Sequence, residues 1–124
     1  MNANALRRGL LYLVALFLSF QVFARDAVSI GTISWAGLPV EARKTLVLIK
    51  QGGPFPYAKD GAVFGNYEGV LPKQKRGYYH EFTVKTAGAH NRGARRIIVG
   101  GEPVASQDFY FTDDHYATFK RIKE

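Results

Sequence analysis

A chain of 124 residues has room for one domain, and the absence of cysteine removes disulfide frameworks, thiol nucleophiles and cysteine-held zinc from consideration. The formal charge of +7 points to an anionic partner, either nucleic acid or a membrane surface.

The first segment reads as a targeting signal. Arg7 and Arg8 precede an uncharged apolar run from Leu10 to Phe20, and Val22 and Ala24 occupy the small-residue positions before a cut. That is the layout of a secretory signal peptide, with an apolar core too short for a comfortable membrane span. Cleavage near Ala24 is expected, giving a leader over 1–24, a single domain over 25–124, and a secreted product, extracellular or periplasmic. The competing reading is an uncleaved anchor. Losing Arg7 and Arg8 leaves about 15 basic residues against ten acidic ones, so the mature chain stays basic at about +5.

In the mature chain, Val28, Ile30 and Ile33 suggest a short edge segment. "LPVEARKTLVLIKQGG" (38–53) reads as a helix: Pro39 suits a first turn, Glu41 lies near the positive end, and Gly52-Gly53 makes a stop. Leu38, Ala42, Leu46 and Ile49 form one stripe for packing on a sheet. The turn-rich stretch 52–77 holds at most short strands at 61–64 and 67–71. From residue 78 the pattern predicts strands over 78–84, 95–99, 107–112 and 116–122, with no helix between them. The fold class is therefore α+β, one main N-terminal helix packed on an antiparallel sheet of about five strands.

Charge appears where a sheet face should be quiet. In "YYHEFTV", period-2 alternation sends Tyr78, His80, Phe82 and Val84 to one face, and Tyr79, Glu81 and Thr83 to the other. In "ARRIIV" it sets Arg95, Ile97 and Val99 against Arg96 and Ile98. If the helix covers the apolar face, Glu81 and Arg96 share the uncovered one. Such a pair suits a structural salt bridge, and equally a general base beside an arginine that grips phosphate. His80 reads as half-buried packing and His90 as an exposed loop residue. "DDH" (113–115) is a weak metal signal without further spaced ligands, and no metal or cofactor is expected. His115 suits a proton donor better, because the carboxylates beside it favour its cation.

Several ordered blocks then carry a resemblance. "LPVEARKTLVLI", "GGPFPYAKDG", "DGAVFGNYEGVLP", "GYYHEFTVKTAGAHNRGARRIIVGG" and "DFYFTDDHYATFKRI" are similar to the corresponding blocks of small secreted bacterial guanyl-specific ribonucleases, the family that includes barnase. The similarity runs over roughly residues 31–122. It implies the microbial ribonuclease fold, with substrate on the sheet face away from the helix. By motif position it implies Glu81 as general base, His115 as general acid, Arg92 and Arg96 as phosphate-binding arginines and Tyr116 as a tyrosine near the phosphate. It also implies Glu68 as the guanine-reading carboxylate, within a loop that includes Phe64, Gly65, Asn66 and Tyr67.

The implied activity is metal-independent cleavage of single-stranded RNA after guanosine, through a 2′,3′-cyclic phosphate to a 3′-phosphate. The implied partners are RNA and an acidic, barstar-like protein inhibitor, for a monomer with no membrane contact once mature. Four positions depart from the pattern. Tyr67 stands where arginine is common, Gly65 replaces a larger polar residue, and His90 replaces an arginine of some relatives. Ser34 lies where disulfide-bearing relatives have a cysteine. Two other classes of function remain open on sequence: a catalytically silent RNA-binding protein of the same fold, and a membrane-active cationic protein. The second needs a longer basic amphipathic helix than 38–50 supplies.

Overall fold

The computed structural model describes residues 30–124. The expected leader, its cleavage point and Val28 lie outside them. Alternating segments build a central antiparallel array of β2 (Tyr79–Thr83), β3 (Arg96–Gly100) and β4 (Asp108–Thr112). Beyond β4 comes β5 (Lys120–Lys123), and β1 (Gly31–Ser34) forms the far edge, giving the order β1-β5-β4-β3-β2.

The β1–β5 pairing is parallel, so the five-stranded sheet is mixed rather than wholly antiparallel. No hairpin links these two strands, and side-chain alternation carries no information on direction. After β1, the Ser34 hydroxyl accepts the Gly37 N–H and caps a single 3-10 turn at Trp35–Gly37.

The helix α1 spans Val40–Gln51, shorter by two residues at each end than the sequence reading. Pro39 is its N-cap, and Gly52, in the left-handed region at φ 81°, ends it. The N–H groups of Gly52 and Gly53 return to the carbonyls of Ile49 and Leu48, which satisfies acceptors the last turn would otherwise leave open. The stripe of Leu38, Ala42, Leu46 and Ile49 is buried as expected, against Phe82, Val84, Ile97, Val99, Phe109, Phe111 and Ile122.

The sheet's other face is only partly open. A second cluster of Leu71, Tyr79, Ile98, Tyr110 and Phe119 packs there beneath the 64–72 loop. The expected strand at 61–64 runs beside β2 through Glu81 N–H to Ala62 O, Gly61 N–H to Glu81 O and a Val63–His80 bridge. The expected strand at 67–71 is instead a turn. Likewise 116–122 shortens to β5, because residues 113–118 fold into a turn ahead of it. Among the described residues no helix is long and apolar enough to cross a membrane.

Leu46 is fully buried at the centre of the helix–sheet interface. Leu46→Ala is expected to lower unfolding stability by about 2–5 kcal/mol in a urea titration while leaving the turnover of folded protein near that of the wild type.

Candidate active site

Residues opposed across a ladder share a face. The register sets Thr83 opposite Arg96 and Arg96 opposite Thr112, with Glu81 opposite Ile98 in the next row. Glu81 and Arg96 therefore do share the face away from α1, yet they form no direct pair. Glu81 Oε1 accepts from Arg92 Nη2 at 3.1 Å, and Oε2 accepts from the Tyr116 hydroxyl at 3.1 Å. The Tyr116 oxygen in turn accepts from Arg96 Nε at 3.2 Å.

Arg96 is 2% exposed, and its Nη1 donates to the carbonyls of Gly93 and Arg95. These are dipoles, not countercharges. A guanidinium desolvated without a carboxylate on it makes the site attractive to an anion. Arg92 adds a second positive group, oriented by Thr83, whose hydroxyl accepts from Nη2 at 2.8 Å and from Nε at 3.2 Å. Burial, and then the negative charge of Glu81, raise the Tyr116 pKa above its usual value. The phenol therefore stays protonated and continues to donate to the carboxylate.

His115 is exposed and sits in a strained turn. It and Tyr116 have φ of 55° and 74°, a conformation costly for residues with side chains of this size. Asp114 holds the turn. Its carboxylate accepts from the Thr118 hydroxyl, the Thr118 N–H at 2.9 Å and the Thr112 hydroxyl at 2.8 Å. The Thr118 and Thr112 bonds depress its pKa to about 2, those from Thr118 the most strongly. The His115 and Tyr116 rings lie 4.7 Å apart, so the turn presents the imidazole beside the Tyr116–Glu81 pair.

The 64–72 loop is tied to the same strand as Glu81. Phe64 N–H donates to Tyr79 O at 2.9 Å, and the Phe64 ring stacks on Tyr116 at 5.0 Å. Asn66, at φ 52°, closes the loop by a reciprocal amide clasp on Leu71: Nδ2 donates to Leu71 O at 3.0 Å and Oδ1 accepts Leu71 N–H at 3.1 Å. Tyr67 is 86% exposed, and its ring lies so close over Gly65 that a Cβ there would overlap it. The two departures in this loop are therefore one: the glycine makes room for the tyrosine. Phe64, Asn66, Tyr67, Glu68, His115 and Tyr116 all line one cavity of about 370 Å³.

The residues singled out from sequence thus converge in two adjoining places. Glu81, Arg92, Arg96 and Tyr116 form a bonded chain, while Glu68 and the rest of its loop face the cavity that His115 borders. His80 is half-buried, with Nδ1 unpartnered, and His90 is exposed in its loop. Sequence reasoning set Thr83 on the Glu81 face and weighed Asp114 only as part of "DDH"; it did not foresee Thr83 orienting Arg92 or Asp114 holding the turn, and it passed over Thr118. It also passed over Asp60, whose Oδ1 accepts the Thr83 N–H at 2.7 Å and fixes the end of β2. The "TDDHYAT" stretch did carry a signal for the turn, since an aspartate with threonines two before and four after suits side-chain capping of backbone N–H groups. Among the described residues no group of three or more His, Asp or Glu side chains is placed to hold a metal ion.

A family model described as ribonuclease matches residues 23–123. Guanyl-specific ribonuclease Sa of Kitasatospora aureofaciens is 56% identical over 94 residues, covering 76% of this chain and 95% of that protein. Guanyl-specific ribonuclease St of Saccharopolyspora erythraea is 46% identical over 95 residues, covering 77% of this chain and 90% of that protein. A structure of ribonuclease Sa2 in complexes with mononucleotides superposes with a TM-score of 0.73 at 45% identity, over 78% of this chain and 97% of that one. By family match, identity and fold together, this chain belongs to the ribonuclease family.

Proposed function

We propose that this ribonuclease is a guanyl-specific endoribonuclease that cuts single-stranded RNA on the 3′ side of guanosine. The observation that carries the reading is the Glu81 carboxylate, gripped by Arg92 and Tyr116 beside a buried Arg96 with no carboxylate on it. RNA brings its own nucleophile, the ribose 2′-hydroxyl, so the protein needs to supply only proton transfer and charge stabilisation. Glu81 takes the 2′ proton as that oxygen attacks phosphorus. Arg92 and Arg96 meet the charge gathering on the non-bridging oxygens, an interaction stronger in the transition state than before it.

His115, as the cation, gives a proton to the departing 5′-oxygen. The product is a 2′,3′-cyclic phosphate, which water opens to a 3′-phosphate with the two proton roles exchanged. DNA, without the 2′-hydroxyl, is not cut. Guanine offers two donors side by side, N1–H and the exocyclic amine, and the Glu68 carboxylate accepts both. Adenine offers no such pair. Tyr67, resting on Gly65 at the cavity wall, gives the base an aromatic surface.

The basic mature chain is read as secreted after cleavage near Ala24 and active as a monomer on RNA. An acidic inhibitor of the barstar kind would complement the positive site.

The direct test is digestion of end-labelled single-stranded RNA in EDTA, scored base by base. Cuts after guanosine that leave a cyclic phosphate are expected, and folded protein that binds RNA without cutting would reduce it to a silent binding relative. Glu81→Gln and His115→Ala are each expected to lower turnover by about 10²–10⁴-fold, and wild-type rates in either would remove that residue from the mechanism. Glu68→Ala should raise cleavage after adenosine relative to guanosine, measured on matched dinucleotides.

The turn under His115 gives a pH signature. A carboxylate whose pKa is depressed on folding adds stability above its unfolded pKa of about 3.9, and that stability is lost as pH falls towards about 2. The Tm difference between wild type and Asp114→Ala should therefore be largest above about pH 4 and shrink towards about pH 2. A constant difference across that range would mean that the carboxylate charge does not hold the turn.

A further inference from the structure

Outside the guanine cavity, one more cleft opens on the same face of the sheet. It has a volume of about 500 Å³, and the residues that give it chemistry are Gln74, Tyr78, Glu102, Gln107, Asp108, Tyr110 and Arg121. Its position follows from the register. Glu81, Ile98, Tyr110 and Arg121 stand in one row across β2, β3, β4 and β5, which puts Arg121 about 14 Å from Glu81 at the usual strand spacing. From the next row, Tyr79–Gly100–Asp108, the residues Gly100 and Asp108 line the cleft. The 64–72 loop is a shared wall, since Val70 lines the guanine cavity and Pro72 lines this cleft.

The cleft's side chains are organised. Arg121 lies over the Tyr110 ring, 4.9 Å from its centroid, and its Nη1 donates to Asp108 Oδ1 at 3.1 Å. The Tyr78 hydroxyl donates to Asp108 Oδ2 at 2.9 Å, so both oxygens of the acid are engaged, while the Arg121 guanidinium over the Tyr110 ring stays partly exposed. Gln74 and Gln107 are both exposed and bring amide donors and acceptors to the rim. Lys73, Lys75 and Arg76, all exposed, follow directly from the shared wall. A planar platform, two amides and a basic approach are the parts that bind a nucleotide of single-stranded RNA: stacking, base-edge hydrogen bonds and attraction for the backbone.

Polarity along the strands says which nucleotide. Arg92 and Arg96 gather at the Thr83 end of β2, with His115 beyond it, and the cleft opens at the Tyr79 end, about 13 Å away along the strand. The leaving nucleoside departs on the His115 side, so RNA 3′ of the cut runs away from the cleft. The nucleotide joined to the 5′-oxygen of guanosine is the one that reaches it. We propose that this cleft is a subsite for the nucleotide immediately 5′ of the guanosine, with Arg121 as its stacking platform and Gln74 and Gln107 at its edges. The proposal rests on the reading of the chain as a guanosine-directed ribonuclease.

The test compares kcat/KM on three substrates: GpU, ApGpU with a nucleotide added 5′, and GpUpA with one added 3′. The purified wild type should cut ApGpU about tenfold better than GpU, the size of one stacking contact. Arg121→Ala should abolish that gain and Gln74→Ala should reduce it, both with GpU cleavage unchanged. GpU cleavage serves as the check that each variant is folded. If Arg121→Ala loses GpU cleavage as well, exposed Gln74 decides alone, and an undiminished gain in Gln74→Ala then overturns the proposal. A wild type that cuts GpU and gains nothing from ApGpU, or gains only from GpUpA, overturns the subsite and leaves the guanosine reading standing. A wild type that cuts none of the three removes that reading itself, and the subsite with it.

Discussion

An arginine buried in a sheet with no acid of its own sets the terms for everything around it. Arg96 reaches Glu81 only through the phenol of Tyr116, and the two carbonyls on its Nη1 carry no net charge. A direct bidentate pair would have satisfied both ions and left nothing for substrate. Inserting a hydroxyl keeps the carboxylate ordered but able to accept a proton, and keeps the guanidinium hungry for an anion. Arg92 supplies the remaining contact with Glu81 from a loop, so the carboxylate is held by the turn before β5 on one side and by the loop before β3 on the other.

That arrangement demands that Tyr116 be in place, which explains the structure of the turn before β5. The backbone there carries two successive left-handed residues, a strain that a lone β-branched strand start would not tolerate. The three bonds to Asp114 and the stacking of Tyr116 on Phe64 hold it. Through Phe64, the 64–72 loop, to which we assign base recognition, and the groups to which we assign proton transfer share one aromatic contact. Through the edge of β2 they share one strand. In that reading, recognition and chemistry are positioned by the same few elements, and neither is a module that could be moved alone.

Much of this was legible in the sequence, for identifiable reasons. The four-residue stripe of α1 and the alternation of "YYHEFTV" and "ARRIIV" report burial directly, because burial is what those periods encode. They placed the helix, three central strands and the shared face of Glu81 and Arg96. The intervening hydroxyl was not legible, since Tyr116 lies 35 residues from Glu81 and comes to it only through the turn. The parallel edge pairing escaped for a similar reason, as direction depends on connectivity across the whole domain. Roles for Glu68 and Tyr67 came from family resemblance, and no periodicity could have given them. What the structure adds is the coupling of Tyr67 to Gly65, a close approach that depends on a missing Cβ.

The position of β5 has a bearing on how the chain is made. The first described strand pairs only with residues 120–123, and His115 and Tyr116 come shortly before them in the chain. Until those residues leave the ribosome, β1 has no neighbour and Glu81 lacks its tyrosine. A nascent chain of this protein therefore cannot assemble its site piecemeal. Completion of the described sheet and completion of the Glu81–Tyr116 pair are a single event, because both wait on the segment 115–123.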